Sequence, residues 1–449
     1  ELANDLLALW HFASSGIGRR VAFSPTDGGV VVQTAMPDQP FIVDTVRLAL
    51  REAGASSIGG YNLIVRIAGE GQDARVVGEN EGRAFSLVRF TAPGIDASQC
   101  SALTTNLDTR LALAQGAVAD YEIIQSKVEN AALAAFDQGN EAAMEAAEFL
   151  RWLLSDNFVF LGLTVGSERL GADKVDAGNL WPAATPSEGG LIMLRKSSVE
   201  APVHRAGRAD VITVNLPTGP IILRGMFTHR ALTQPCRHLP ILRRTLEAVL
   251  SETRQRPNSW RYRGLANIFD AMPTEWLFSA STAQIGQVLE AVFDADQEQV
   301  ARTLISQQDD GATTFSMLAI PARRYSELVR GRVLAQLGKV THATYTDSRI
   351  FAGRFESVLL QVFQTGTRVV DAAAVESFER FVGDLTTPWI ERASAAIDDH
   401  FGERSATIQS QYAEAFPPDY SDHTPPGPIV RDLAFLHASR AAGPLQPSI

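Results

Sequence analysis

Cysteine is nearly missing from this chain of 449 residues: Cys100 and Cys236 are the only two. That excludes a disulfide framework and suits a reducing, cytoplasmic setting. Basic residues are also in deficit, 40 Lys and Arg against 51 Asp and Glu, for a net charge of −11 and a pI near 5.3. Nucleic-acid binding needs a concentrated basic face, so that class is argued against. No apolar run reaches the ~18 residues of a membrane span. The opening residues, "ELANDLLALWHFASS", have neither an initiating Met nor a signal-peptide pattern. The expectation is a cytoplasmic, multi-domain piece excised from a longer polypeptide.

The usual marks of catalysis are missing as well. A pyrophosphate site would need a Gly-rich turn between a strand and a helix. The nearest candidate, "EGQDARVVGENEG" (70–82), is an acidic link with the wrong spacing, and no phosphate-binding G-x-x-x-x-G-K-[ST] or nucleophile-elbow G-x-S-x-G occurs. Cys236 and His238 in "PCRHLP" are two residues apart and would not normally face each other as nucleophile and base. His204 and His229, placed to meet across a middle sheet, lack a third close metal ligand. Glu141, Glu145 and Glu148 form a stripe without the Glu-x-x-His partners of a dimetal centre, and read as a solvated helix face. No catalytic, cofactor-binding or metal-binding residue is assigned.

What is present is the pattern of an α+β protein, with length for ~3 domains. A helix at 1–16 leads to a strand near 29–35. An amphipathic helix follows, with Ile42, Val43, Val46, Ala49 and Leu50 at helical spacing, Asp38 as its N-cap, Pro40 in its first turn and Gly54 at its C-terminal end. A hairpin ("NLIVRIAG", "RAFSLVRFTA") and a helix over 97–115 complete β-α-β-β-α, with room for a last strand: a ferredoxin-like split βαβ unit. A helical linker (121–155) precedes a β-rich region (156–236) and a helical segment (237–298). The region 299–385 reads β-β-α-β-β-α, a permuted copy of the first fold, with a turn at "DDGA" and a helix ended by Gly338. Helical turns and a Pro-rich linker, "AFPPDYSDHTPPGP", occupy much of 386–449. The divisions are thus 1–28, 29–120, 121–155, 156–236, 237–298, 299–385 and 386–449.

Several stretches resemble, in order, the large bacterial NAD-dependent glutamate dehydrogenases. "MPDQPFIVDTVRLALREAG" (36–54) is similar to the family's "DMPFLVDSV" signature. "AVADYEIIQSKV", "EAAEFLRWLLSDNFVFLGLTV", "APVHRAGRADVITV", "RGMFTHRAL", "LPILRRTLEAVL", "IFDAMPTEWLFSAS" and "FGERSATIQSQYAEAFPPDY" continue the series over essentially the whole chain. The resemblance implies the N-terminal region of an enzyme that oxidises L-glutamate to 2-oxoglutarate and ammonia with NAD. It implies ACT-like domains, a PAS-like or ACT-like middle domain, helical linkers, and a separate catalytic domain that carries the cofactor. It further implies a non-catalytic regulatory or oligomerisation role, inactive alone, within a homo-oligomer, expected to be a tetramer. The alternative is a purely structural scaffold.

In ACT domains the first strand–loop–helix joint often reads D-x-P-G and binds an amino acid. Here Asp38, Gln39, Pro40 and Phe41 stand in that place, with Phe41 where Gly is usual. The residues therefore leave two readings open: an effector pocket, or a filled joint with Asp38 capping the helix and Phe41 packed into the core or a domain interface. Arg323 and Arg324, opening a helix in "IPARRYSE", are a rival anion site, with solvated arginines as the other reading.

Overall fold

The computed structural model describes residues 2–16, 18–69, 71–187, 189–253, 256–307, 312–412 and 427–442. The "DDGA" turn and most of the Pro-rich linker fall outside them. The chain divides into two compact units, Glu1–Thr245 with Pro273–Ser279, and Leu246–Met272 with Ala280–Ile449. No helix among the described residues is long and apolar enough to cross a membrane.

The first unit opens with α1 (Leu2–Ser14), β1 (Arg20–Thr26), β2 (Gly29–Pro37), α2 (Ile42–Glu52), β3 (Gly59–Ala68), β4 (Arg75–Val76), β5 (Arg83–Pro93) and α3 (Cys100–Ala119). Its strands are ordered β1-β2-β5-β3-β4. β5 thus lies between β2 and β3, antiparallel to both, as a split β-α-β arrangement requires. The place expected for a last, C-terminal strand is taken by β1, paired antiparallel to β2. Polar Arg20, Ser24 and Thr26 hide this edge strand, since its exposed end gives no alternation to read. Helix α2 buries Ile42, Val46, Ala49 and Leu50 against Val30, Val32, Val88 and Phe90 of the sheet. It ends as expected, because Gly54 takes φ 91. Gly54 N then bonds the Arg51 carbonyl and Ala55 N the Leu50 carbonyl, the two bonds of a Schellman cap.

Two helices, α4 (Tyr121–Phe136) and α5 (Glu141–Trp152), lead to the middle sheet: β6 (Phe158–Val165), β7 (Glu168–Gly171), β8 (Ile192–Glu200), β9 (Arg208–Leu216) and β10 (Gly219–Phe227). Its order is β7-β6-β10-β9-β8, antiparallel throughout. One face buries Phe160, Ile212, Val214 and Leu223 under Ile124, Val128, Phe149 and Leu150 of α4 and α5. The other buries Leu161, Ala209 and Met226 under Leu113, Ala114 and Ala117 of α3. Helix α3 therefore serves two cores, since its Leu107 and Leu111 belong to that of the first sheet.

The acidic stripe of α5 is a correction to the sequence reading. Glu145 is buried (8% exposed). Its carboxylate accepts Ile241 N at 2.8 Å and Arg243 Nε at 2.9 Å, while Glu148 and Glu141 pair with Arg243 and Arg244. The stripe meets a basic segment, "LRR", and only Glu145 is withdrawn from water, since Glu141 and Glu148 stay exposed. After the middle sheet come α6 (His229–Thr233), α7 (Leu242–Glu252), which begins with that segment, α8 (Trp260–Phe269), α9 (Thr274–Ser279) and α10 (Thr282–Glu298).

The second unit holds β11 (Arg302–Gln307), β12 (Thr313–Pro321), α11 (Glu327–Thr341), β13 (Tyr345–Phe351), β14 (Ser357–Thr365) and α12 (Ala372–Thr386). The strand order is β11-β12-β14-β13. Element for element this repeats β1-β2-α2-β3-β5-α3, so the second unit is not permuted relative to the first. The expected permutation disappears once β1 is counted as the first strand of the first sheet. Helix α11 also runs past Gly338 and stops at His342, which takes the left-handed conformation (φ 55). Its α11 and α12 bury Val333, Leu337, Phe378 and Val382 on Leu318, Ile320, Leu360 and Val362. Short helices α13 (Trp389–Phe401), α14 (Ser405–Tyr412) and α15 (Ile429–Ala442) follow.

Candidate functional site

The joint between β2 and α2 is built by the end of one strand. Asp38 N donates to the Ala84 carbonyl at 2.9 Å, which prolongs the β2–β5 ladder and leaves the Asp38 side chain exposed. The expected Asp38 cap is not formed. The N-cap is Phe41, with φ 74 and ψ −1, and no side chain caps the helix. Ile42 starts the helix four residues after Asp38, beyond reach of its first free N–H groups. Pro40 precedes the helix and is exposed.

A bulky residue at positive φ is uncommon, costs about 1–3 kcal/mol, and persists only where its surroundings hold it. Here the surroundings are the middle sheet. The Phe41 ring meets the His204 ring edge-on, centroids 5.1 Å apart at 65°, and packs on the cluster of Leu113, Ala114, Val203 and Met226. His204 itself has φ 74. It lies in the tight β8–β9 connection, where Ala201 N bonds the Gly207 carbonyl at 2.8 Å. A neighbouring staple ties the same surfaces. Arg110 of α3, 5% exposed, donates to the Pro202 carbonyl at 3.2 Å and to Asn106 Oδ1 at 2.7 Å, and pairs with Glu52 of α2 at 2.5 Å.

Three buried polar atoms at this joint have no hydrogen-bond partner among the described residues: Gln39 Nε2, Thr45 Oγ1 and His204 Nδ1. Burial holds the His204 imidazole below its usual range, aided by the Arg205 charge and opposed by Asp44. The joint therefore carries strain, unmatched polarity and a titratable ring, where side chains from α2, α3 and the β8–β9 connection converge. Phe41 fills the space that Gly would leave open in the expected motif.

The remaining sequence candidates lie apart from it. Arg323 and Arg324 belong to the second unit, and sit on a 3-10 turn, Ala322–Arg324, ahead of α11. They do not open that helix, which Ser326 caps through Val329 N at 3.2 Å. Arg323 is exposed, whereas the Arg324 side chain is only 9% exposed and pairs with Glu391 at 3.0 Å. His229 is an exposed first residue of α6, so it and the joint-bound His204 play different parts. Cys236 is buried with Sγ 3.4 Å from the Thr274 hydroxyl. The Gly-rich link does not fit NAD. It folds as a 3-10 turn (Gly71–Asp73) and the two-residue β4 paired to β3, with β5 following. It offers no helix N-terminus to a pyrophosphate.

Sequence comparison agrees with the motif series. The profile described as "Glutamate dehydrogenase, helical motif 1" matches residues 239–298. The chain is 24% identical to the NAD-specific glutamate dehydrogenase of Halomonas elongata, over 92% of its own length and 28% of that protein's. It is 22% identical to the NAD-specific glutamate dehydrogenase of Pseudomonas aeruginosa, again over 92% and 28%. The chain is thus similar along nearly all its length to the large NAD-specific glutamate dehydrogenases, and spans 28% of the length of these relatives.

Proposed function

We propose that the chain is the N-terminal regulatory and oligomerisation region of a large, cytoplasmic NAD-dependent glutamate dehydrogenase. The carrying observation is similarity over 92% of this chain to 28% of each relative. Its partners are its own catalytic domain, which holds NAD, and other subunits of a homo-oligomer, expected to be a tetramer. The split β-α-β order of the first and last sheets supports ACT-like units. The middle sheet sets its first strand, β6, beside its last, β10, with no α-helix between β7 and β8 among the described residues, which supports a PAS-like unit there over a degenerate ACT-like one. The strained joint at Asp38–Phe41 is the place where an amino-acid effector, or a neighbouring subunit, would shift the relation between first and middle sheets. Arg323 is the lesser candidate, because Arg324 is already paired.

The scaffold reading is favoured by one observation, that Phe41 occupies its own joint. A thermal-shift screen with the twenty amino acids, 2-oxoglutarate and NAD separates the two. Stabilisation by an amino acid that is lost in Asp38→Ala supports an effector; a flat screen supports the scaffold. The chain alone is expected not to reduce NAD with L-glutamate, and turnover by it would overturn the non-catalytic assignment.

A further inference from the structure

The middle sheet carries a second polar centre, remote in character from the joint. Arg224 interrupts the apolar strand β10 and its side chain is only 3% exposed. Its Nε donates to Asp173 Oδ1 at 2.7 Å, Nη2 pairs with the same carboxylate, and Nη1 donates to the Pro182 carbonyl at 2.7 Å. The guanidinium lies 4.0 Å over the Trp181 ring. Asp173 is filled by further donors, Thr164 Oγ1 at 2.8 Å and Trp181 Nε1 at 3.0 Å. Gly162 makes room for it, since a Cβ there would stand 2.2 Å from Asp173 Oδ1.

A guanidinium has five N–H donors, and the described residues engage three of those on Arg224. Unmatched donors on a buried charge are costly. Arg224 also lines a cleft of about 390 Å³, with Trp181, Val175, Ala177 and Pro182 as apolar wall and Arg169, Lys174 and Asp176 among the lining residues. Lys174 is held by Asp120 at 2.7 Å. Arg169 is exposed, and no ion pair or hydrogen bond engages its side chain among the described residues. Burial lowers the Arg224 guanidinium despite Asp173, and the charges of Arg169 and Arg195 press it the same way. Cations on β7 and β8 therefore crowd the locked, incompletely satisfied Arg224 guanidinium of β10, at the floor of a cleft sized for a small molecule.

We propose that this cleft binds a small anion through a carboxylate or phosphate group, received by Arg224 and Arg169, with its carbon skeleton against Trp181 and Pro182. A planar fork already fixed by Asp173 and stacked on indole suits two-point capture of such a group. The site gives the regulatory region a ligand, yet its binding does not depend on a catalytic domain. Failure of regulation in the whole enzyme and failure of binding are therefore separate results.

The test is isothermal titration of the chain with succinate and, separately, with inorganic phosphate at fixed ionic strength. Saturable binding of either is expected, weakened at least tenfold in Arg169→Gln, whose unfolding midpoint stays that of the wild type because Arg169 is exposed. Preference between the two probes tells carboxylate from phosphate. Arg224→Lys, which keeps charge without the fork, should lose binding too; if it does not fold, Arg169→Gln still decides. Absence of saturable heat with both anions, or equal affinity in Arg169→Gln, would overturn the proposal.

Discussion

Phe41 and His204 hold each other in left-handed backbone conformations, at φ 74 in both, with ring centroids 5.1 Å apart. One begins α2 and the other lies between β8 and β9, so the contact spans two sheets. This inverts a familiar order of substitutions. Phe41→Ala removes the ring and keeps the backbone cost, and is expected to destabilise by about 2–4 kcal/mol. Phe41→Gly removes the ring but relieves the positive φ, and is expected to lose ~1 kcal/mol less. Urea unfolding of both variants measures this; Gly below Ala would show that the conformation carries no strain.

His204 should make the joint sensitive to mild acid. Its folded pKa lies below the ordinary histidine value of about 6.5 because burial disfavours the imidazolium. The unfolded chain then binds more protons, so this contribution is complete above 6.5, and is lost as pH falls from there toward the depressed value. His204→Phe keeps a ring against Phe41 and removes the proton. Its unfolding midpoint should fall less than that of the wild type between neutral pH and pH 5. Equal slopes would exclude His204 as the titrating group.

The three glutamates of α5 should part company on truncation. Glu145 is buried and accepts from Arg243 and Ile241 N, so Glu145→Ala is expected to cost about 2 kcal/mol by removing the acceptor of part-buried donors and its own packing. Glu141 and Glu148 form exposed pairs, and their Ala variants are expected to cost under ~1 kcal/mol. Burial raises the Glu145 carboxyl, but the bonds from Arg243 and Ile241 N outweigh it and hold it below the usual range. Its contribution is therefore present above the unfolded pKa and lost as pH falls through the folded one. Chemical denaturation at neutral pH ranks the three; near-equal losses would restore the solvated-face reading.

A gain is expected on strands β8 and β9 of the middle sheet. Lys196 Nζ stands 2.7 Å from Asp210 and 3.6 Å from Glu275, two carboxylates exposed only 2% and 7%. Burial pushes the Asp210 carboxyl up, Lys196 opposes this, and Glu275 adds to it. A raised carboxyl gives its stability below the unfolded pKa and loses it as pH rises through the folded value. Glu275→Gln removes one of the two like charges and should raise the urea midpoint at pH 7 by the equivalent of ~1 kcal/mol, with the gain shrinking toward pH 4. A lower midpoint at pH 7 would mean that Lys196 needs both carboxylates.

Much of this was legible in the sequence wherever one period dominates. The Ile42–Leu50 spacing gave α2, Gly54 gave its end, and the alternation of 62–69 with 83–92 gave the pairing of β3 with β5. Strand β1 was not legible, because an edge strand exposed at one end needs no alternation. Asp38 misled because a capping residue type sits near a helix start without any mark of how far the preceding ladder runs. Glu145 misled because helical spacing shows which residues share a face and not what that face meets; Arg243 and Arg244, nearly a hundred residues on, carried the missing half. Arg224 had a signal of its own: an arginine inside "PIILRGMF" must be either exposed or closely paired.

Helix α3 gives Leu107 and Leu111 to one core and Leu113, Ala114 and Ala117 to the next. Its apolar residues serve two sheets, so neither sheet keeps its core if the chain is divided on either side of it. A cut near Asp120 strips the middle sheet of a lid, and a cut before Cys100 opens the first. The two sheets are therefore bound to melt together and to be inherited together, although each by its strand order looks like a module that evolution could have moved alone.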